Sequence, residues 1–250
     1  MNKKVFFKIW DLVWVFLSVA ALVILGQLFL GNIEYFAQMD DESFGGLVFL
    51  VIYLIQTLIF AIPLLAMMKI RGVAIRDFGF KRVGWKNILK IVGLGYLAYI
   101  SIMMVVMQIT ISYNIELPGF GQQESHMDFF GDQKVWAIVV IAIIAIIAPL
   151  IEEVFFRGFV FQTMLKAWPK WLAFIASAAV FAGIHLEFQV FMPLFLLGLV
   201  LNWMFYKSGS LYPGIFFHIV NNSIAIGLEY YIYLHPEVLD MYGAMIHFSQ

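Results

Sequence analysis

Long runs of apolar residues, separated by short polar connections, predict helices that cross a membrane. One crossing needs about 20 mostly apolar residues, because a helix must span a hydrocarbon core of roughly 30 Å. We count seven such runs, at about residues 10–30, 46–67, 87–111, 135–165, 171–186, 189–206 and 211–234. The fourth is over-long and the fifth and sixth are short, so an eighth span is an alternative if the tail re-enters the membrane. The runs lack the alternation of barrel strands, so we predict an all-α transmembrane bundle.

Composition supports a multi-pass membrane protein with one transmembrane domain over residues 1–250. The chain is 63% hydrophobic and 12% charged, with a mean hydropathy of +0.93, whereas soluble domains are about half apolar and a quarter charged. The net charge of −1 provides no basic surface, so nucleic acid is not a predicted partner. The chain has no cysteine, which excludes disulfides and thiol chemistry.

Basic residues fall on alternate connections and predict the orientation. These connections hold 13 of the 15 lysines and arginines, around residues 3–8, 69–90, 166–170 and 207. The positive-inside rule therefore predicts a cytoplasmic N-terminus and, with seven spans, an external C-terminus. The connection 69–86 also carries Phe78, Phe80 and Trp85, so it is either an interfacial helix on the inner leaflet or an ordinary basic loop.

Within the spans, polar residues are rare and cluster in three places. A charge at the centre of a membrane helix costs about 2.5–3.5 kcal/mol on insertion scales. Such residues are therefore expected to face one another or a wet cavity. The cluster comprises Glu152, Glu153, Arg157, His185, His218, Asn221 and Asn222.

The two adjacent glutamates have different predicted roles. Glu153 and Arg157 are i,i+4 and predict a structural ion pair. Glu152 is turned about 100° away on an α-helix and has no polar partner one turn later, which makes it the functional candidate. Pro149 precedes it by three residues and removes a backbone hydrogen bond, which is expected to open the helix locally.

His185 could simply bond a neighbouring helix, or it could belong to a catalytic site. His218 and Asn222 are i,i+4 and share a helix face. On spacing alone, Asn221 at i+3 could take the place of Asn222, and either pair could simply form hydrogen bonds between helices. A carboxylate, two imidazoles and an amide can activate a water and stabilise the resulting oxyanion. Two histidines and a glutamate could instead hold zinc. The remaining histidines are predicted to be exposed, namely His126, His235 and His247.

Three short motifs carry these residues. They are EEVFFRG at 152–158, FAGIH at 181–185 and HIVNN at 218–222. In this order and within one apolar chain, they resemble the motifs of the CAAX protease and bacteriocin-processing family of intramembrane endopeptidases, called CPBP or Abi. The resemblance covers about residues 148–223, whereas the first three spans, 10–111, are less diagnostic.

The resemblance implies a role for each motif residue. Glu152 would be the general base and His185 would hold the water, while His218 and Asn222 would stabilise the oxyanion. Glu153, Arg157 and Phe181 would support the site. Family members are described both as glutamic and as metalloproteases. We favour a mechanism without a metal and assign no ligands, but a zinc ion would be held by Glu152, His185 and His218.

The expected partners are the lipid bilayer and a peptide or membrane-protein substrate, and the composition suggests a bacterial cytoplasmic membrane. The implied biology is peptide maturation, bacteriocin immunity or regulation of the quorum-sensing type. Two alternatives from other classes stay open. One is a non-catalytic scaffold that regulates a partner protein, and the other is a proton- or ion-coupled transporter in which the same polar residues bind ions.

Overall fold

The computed structural model of the protein describes residues 6–37, 42–115, 117–120, 138–139, 141–235 and 237. Throughout these ranges the regular structure is helical, which confirms the all-α class. Six helices are simple: α1 (Ile9–Ala37), α2 (Glu42–Arg71), α3 (Trp85–Tyr113), α5 (Lys170–Gly183), α6 (Phe191–Ser208) and α7 (Tyr212–Leu234). Helix α4 is a continuous run of π, α, π and α segments: Ile143–Ile147, Ala148–Glu152, Glu153–Phe161 and Gln162–Ala167.

Four segments of the described chain are long and apolar enough to cross a membrane. They are Ile9–Gly26, Leu50–Arg71, Trp85–Tyr113 and Phe188–Ser208. Three predicted spans do not qualify, for different reasons. Helix α4 changes its backbone pairing along its length, and α5 has 14 residues, or about 21 Å at 1.5 Å per residue. Helix α7 has 23 residues, but its polar side chains lower its mean hydropathy. The count of seven spans and the orientation therefore stay predictions.

The core is built around the second π segment of α4, which is rich in phenylalanine and buried. Phe159 meets the ring of Phe7 before α1, at a centroid distance of 4.7 Å. Phe155 lies 5.1 Å from Phe60 of α2, and Phe161 lies 4.9 Å from Phe174 of α5. Edge-to-face ring contacts at these distances add to the energy of apolar burial. They fix α4 in the middle of the bundle, where its charged residues are also placed.

The basic connection after α2 is mostly loop, which agrees with the loop alternative better than with an interfacial helix, and it packs on α4. It contains a 3-10 turn, Ile75–Phe78, and Phe78 is fully buried. A Cβ at Gly158 would lie 2.6 Å from the Phe78 ring, so glycine is needed for this approach. The Gln162 side-chain amide donates to the Phe78 carbonyl at 2.8 Å. These contacts attach the connection to the helix that carries the glutamates.

Candidate active site

Helix α4 places its two glutamates in different environments. Glu152 ends the short α segment and Glu153 begins the following π segment. The Glu152 side chain is 27% exposed, whereas that of Glu153 is 1% exposed. π segments are rare and often occur at functional sites. Two neighbouring carboxylates therefore differ in solvent access, and the buried one lies inside the π segment.

Glu153 is paired with two cationic or protonatable groups. Its Oε1 atom lies 2.9 Å from Arg157 Nη1, which confirms the predicted i,i+4 ion pair. The same oxygen lies 3.1 Å from His218 Nδ1 on α7. Sequence spacing does not connect His218 with Glu153, because the two residues are 65 positions apart. A buried carboxylate that bridges α4 and α7 thus links two of the three motifs.

Arg157 is fully buried and is held by its surroundings on several sides. Its guanidinium carbon lies 4.4 Å from the centre of the Phe181 ring, in cation–π geometry. Nη2 donates a long hydrogen bond of 3.4 Å to the Gly198 carbonyl of α6. Its Nη1 atom is near Glu153 without hydrogen-bond alignment, and Nε lacks a hydrogen-bond partner among the described residues. The cation is therefore held largely by charge and ring contacts in a dry part of the protein.

The geometry around His218 determines which of its nitrogens faces Glu152. Because the Glu153 carboxylate is an acceptor, His218 Nδ1 carries the hydrogen of that bond. The other nitrogen, Nε2, lies 3.7 Å from Glu152 Oε2. This separation exceeds hydrogen-bonding distance, but one water beside the pair could bond both atoms at about 2.8 Å. His218 is thus fixed on one side by Glu153 and is open to Glu152 on the other.

His185 is oriented by its own helix. Its Nδ1 atom lies 2.8 Å from the Phe181 carbonyl, and a carbonyl can only accept, so Nδ1 carries hydrogen and Nε2 is left free in the neutral ring. The Phe181 ring lies 5.0 Å from the His185 ring and 5.9 Å from the His218 ring. Phe181 therefore contacts both imidazoles as well as the Arg157 cation, which accounts for its place in the second motif.

Asn222 is bonded to the backbone of α4 near Pro149. Its Nδ2 atom donates to the Ile144 carbonyl at 3.2 Å. In this π segment, the N–H of Ala148 bonds to the Ile143 carbonyl, five residues earlier. The next such bond would join residue 149 to Ile144, but proline has no N–H. Asn222 therefore fills the position that Pro149 leaves empty, and its second amide hydrogen remains available.

Two further residues of the site carried no signal in the sequence reasoning. A Cβ at Gly214 of α7 would lie 2.7 Å from Glu153 Oε2, so glycine leaves the space that this carboxylate occupies. Tyr96 of α3 donates its hydroxyl hydrogen to the Phe217 carbonyl at 3.2 Å, next to His218. A glycine or tyrosine within an apolar run has no distinctive pattern, and only the packing of α3, α4 and α7 identifies them.

The zinc alternative requires Glu152, His185 and His218 to meet at one metal ion. Among the described residues, which include Glu152, His185 and His218, no group of three potential ligands is gathered closely enough to hold one. His235 lies beyond α7 with its side chain 47% exposed, as predicted, and its Nδ1 atom is 3.1 Å from Glu237. His126 and His247 lie outside the described residues.

A known family model matches the region that contains the motif residues. Residues 134–224 match the family model described as Rce1-like, type II CAAX prenyl endopeptidase Rce1-like. The match includes all three motifs and leaves the first three spans outside. Searches of curated proteins and of solved structures returned no match.

Proposed function

We propose that this protein is an intramembrane endopeptidase, taking as premise that residues 134–224 belong to the CPBP family. The reaction is hydrolysis of a peptide bond by a water that Glu152 activates. One observation carries the proposal. The partly exposed carboxylate of Glu152 lies 3.7 Å from the His218 ring, and the fully buried carboxylate of Glu153 contacts the other ring nitrogen of His218.

Charge counting supports this division of roles. Glu152, Glu153 and Arg157 together carry one net negative charge, so one additional proton makes this partly buried cluster neutral. Uncompensated charge is costly in a low-dielectric interior. With that proton on His218 Nε2, the Glu152 carboxylate is free to accept a proton from the water that attacks the substrate carbonyl. Glu152 then gives this proton to the leaving amine when the C–N bond breaks. The His218 N–H is then available to donate to the oxyanion that forms on the substrate carbonyl.

The other motif residues fit supporting steps of the same reaction. His185 offers an unprotonated Nε2 that can accept a hydrogen bond from the attacking water. Asn222 holds α4 through one amide hydrogen and can donate the other to the oxyanion. No step in this scheme requires a metal, and we propose a metal-free mechanism. Metal content of the active, purified protein tests that part separately.

The proposed substrate is a membrane-embedded or amphipathic peptide, cleaved in a bacterial cytoplasmic membrane during peptide maturation, bacteriocin immunity or quorum-sensing-type regulation. The family description names prenyl CAAX endopeptidases, so a prenylated C-terminal peptide is the second substrate class to test. Both classes reach the site from the bilayer. A substrate that is already at the membrane is consistent with a catalytic carboxylate placed on a bundle helix.

The test reconstitutes the protein in liposomes with one amphipathic helical peptide and one prenylated CAAX peptide, and measures products by mass spectrometry. We expect cleavage by wild type and loss of cleavage in E152Q and H218A. The variant E237Q changes an exposed glutamate outside the site and is the matched control. Cleavage that persists in well-folded E152Q and H218A would exclude the proposed mechanism. An ion flux that E152Q abolishes, without any cleavage, would favour the transporter instead.

A further inference from the structure

A cleft between α5 and α6 is lined by aromatic side chains and two lysines. It lies at the start of α5, at the opposite end of this helix from His185. Its volume is about 350 Å³. Lys170 and Trp171 begin α5, whereas Tyr206 and Lys207 are in the last turn of α6. The complete lining is Lys170, Trp171, Phe174, Trp203, Tyr206 and Lys207. It contains two cations and no acidic residue.

The orientation of Lys170 directs its charge over the aromatic wall. Its ammonium nitrogen lies 4.1 Å from the centre of the Tyr206 ring and 6.0 Å from that of Phe174. Neither Lys170 nor Lys207 forms an ion pair with a residue that the structure describes. Two lysines and no acid line one concave surface, so the cleft favours an anion.

The exposed aromatic residues indicate what kind of anion reaches this surface. Trp171 is 65% exposed and Tyr206 is 45% exposed. Tryptophan and tyrosine concentrate where lipid headgroups meet the hydrocarbon core. The lysine-bearing ends of α5 and α6 are also the ends that the charge distribution assigns to the cytoplasmic side. Basic pockets between membrane helices on that side bind the headgroups of anionic lipids.

We propose that this cleft binds the headgroup of an anionic glycerophospholipid. The phosphate contacts the ammonium groups of Lys170 and Lys207, and the glycerol backbone lies against Trp171 and Tyr206. A zwitterionic lipid is disfavoured because its own amine would face two lysines. The inference is independent of the proposed protease activity, since the cleft contains none of the motif residues.

Binding at this position joins two helices that support the site. The lipid contacts the first turn of α5, and the same helix carries Phe181 near its other end. His185 follows two residues after Gly183, the last residue of this helix. Helix α6 supplies the Gly198 carbonyl to Arg157. An occupied cleft should therefore hold α5 against α6 and raise the thermal stability of the whole bundle.

The experiment titrates detergent-solubilised protein with phosphatidylglycerol, phosphatidylcholine or inorganic phosphate, and follows both Tm and bound lipid by native mass spectrometry. For phosphatidylglycerol, we expect Tm to rise and K170Q/K207Q to bind about thirtyfold more weakly, from about 1 kcal/mol per lysine. The control K86Q/K90Q removes two exposed lysines of α3 and should bind as wild type does.

Three results would overturn the proposal. One is equal phosphatidylglycerol binding by wild type and K170Q/K207Q. Another is equal stabilisation by phosphatidylcholine, which would indicate general solvation by lipid. The third is full stabilisation by inorganic phosphate, which would indicate a site for soluble anions. The adduct count by native mass spectrometry keeps the test decisive if the double variant has a lower Tm for other reasons.

Discussion

Gly214→Ala is the substitution that most directly tests the role of Glu153. The added Cβ would lie 2.7 Å from Glu153 Oε2. Ordinary contact begins at 3.4 Å, so the carboxylate must move by 0.7 Å (3.4 minus 2.7). If that displacement is directed away from α7, the 3.1 Å contact from His218 to Glu153 Oε1 lengthens to 3.8 Å (3.1 plus 0.7). That is beyond hydrogen-bonding range.

Loss of this contact should reduce activity more than stability. A hydrogen bond to a charged group contributes about 1.5–3 kcal/mol, which corresponds to a decrease in kcat of about 10- to 150-fold. The reduction should appear in kcat because His218 would no longer be oriented toward Glu152, whereas the surface that binds substrate is unchanged. Alanine also favours a helix over glycine by about 1 kcal/mol, which offsets part of the strain in folding.

The assay measures peptide cleavage in liposomes and Tm for wild type, G214A and G227A. Gly227 is on the same helix, and a Cβ there meets no atom within 4 Å, so G227A isolates the effect of helix propensity. We expect G227A to retain activity and G214A to lose it with a small change in Tm. Wild-type kcat in G214A would show that the position of Glu153 does not control His218, and the positioning role of Glu153 would have to be abandoned.

Two further substitutions test other parts of the structure. Burial lowers the pKa of Lys166 to about 8 in the folded protein, despite the nearby Asp77 charge. Between pH 8 and 10.5 the unfolded chain therefore binds more protons than the folded protein, and the stability of wild type relative to K166M should rise with pH over that window. A difference in Tm that stays constant with pH would contradict this. N222A should lower both Tm and activity, because it removes the proposed oxyanion donor and leaves the Ile144 carbonyl unpaired. N221A, at the neighbouring position, should lower neither. Equal effects of the two substitutions on Tm would refute the hydrogen bond from Asn222 to Ile144.

Spacing rules predicted the contacts within one helix but not those between helices. The i,i+4 rule identified the ion pair of Glu153 and Arg157 and the shared face of His218 and Asn222, because helix geometry alone fixes such pairs. It could not identify the contact from His218 to Glu153, which depends on how α4 and α7 pack. The family resemblance identified the correct region, yet it carried no information on which glutamate His218 faces.

The short fifth helix and the docked connection illustrate a second limit of hydropathy. The run 171–186 is apolar enough to suggest a span, but α5 ends at Gly183 and the chain turns, with Leu186 at a positive φ of 58°. A window of hydropathy measures composition and does not detect such a turn. The basic connection was equally ambiguous, because only the fit of Phe78 against Gly158 determines that it packs on α4.

The π segments of α4 explain how a strongly apolar helix can carry a cluster of polar residues. In the first segment, Pro149 has no N–H to donate to the Ile144 carbonyl, so this carbonyl accepts a hydrogen bond from Asn222, which connects α7 to α4. The second segment begins at Glu153, so the buried acid and its partners lie within the widened region while Glu152 stays just outside it. In regular α-helical geometry the N–H of Ala148 would bond to the Ile144 carbonyl, and Pro149 would leave the carbonyl of Ala145 unpaired instead. Pro149, three residues before the acid pair, therefore acts through the backbone, because the carbonyl it leaves unpaired binds α7. The different environments of the two glutamates follow from the change of backbone pairing between them.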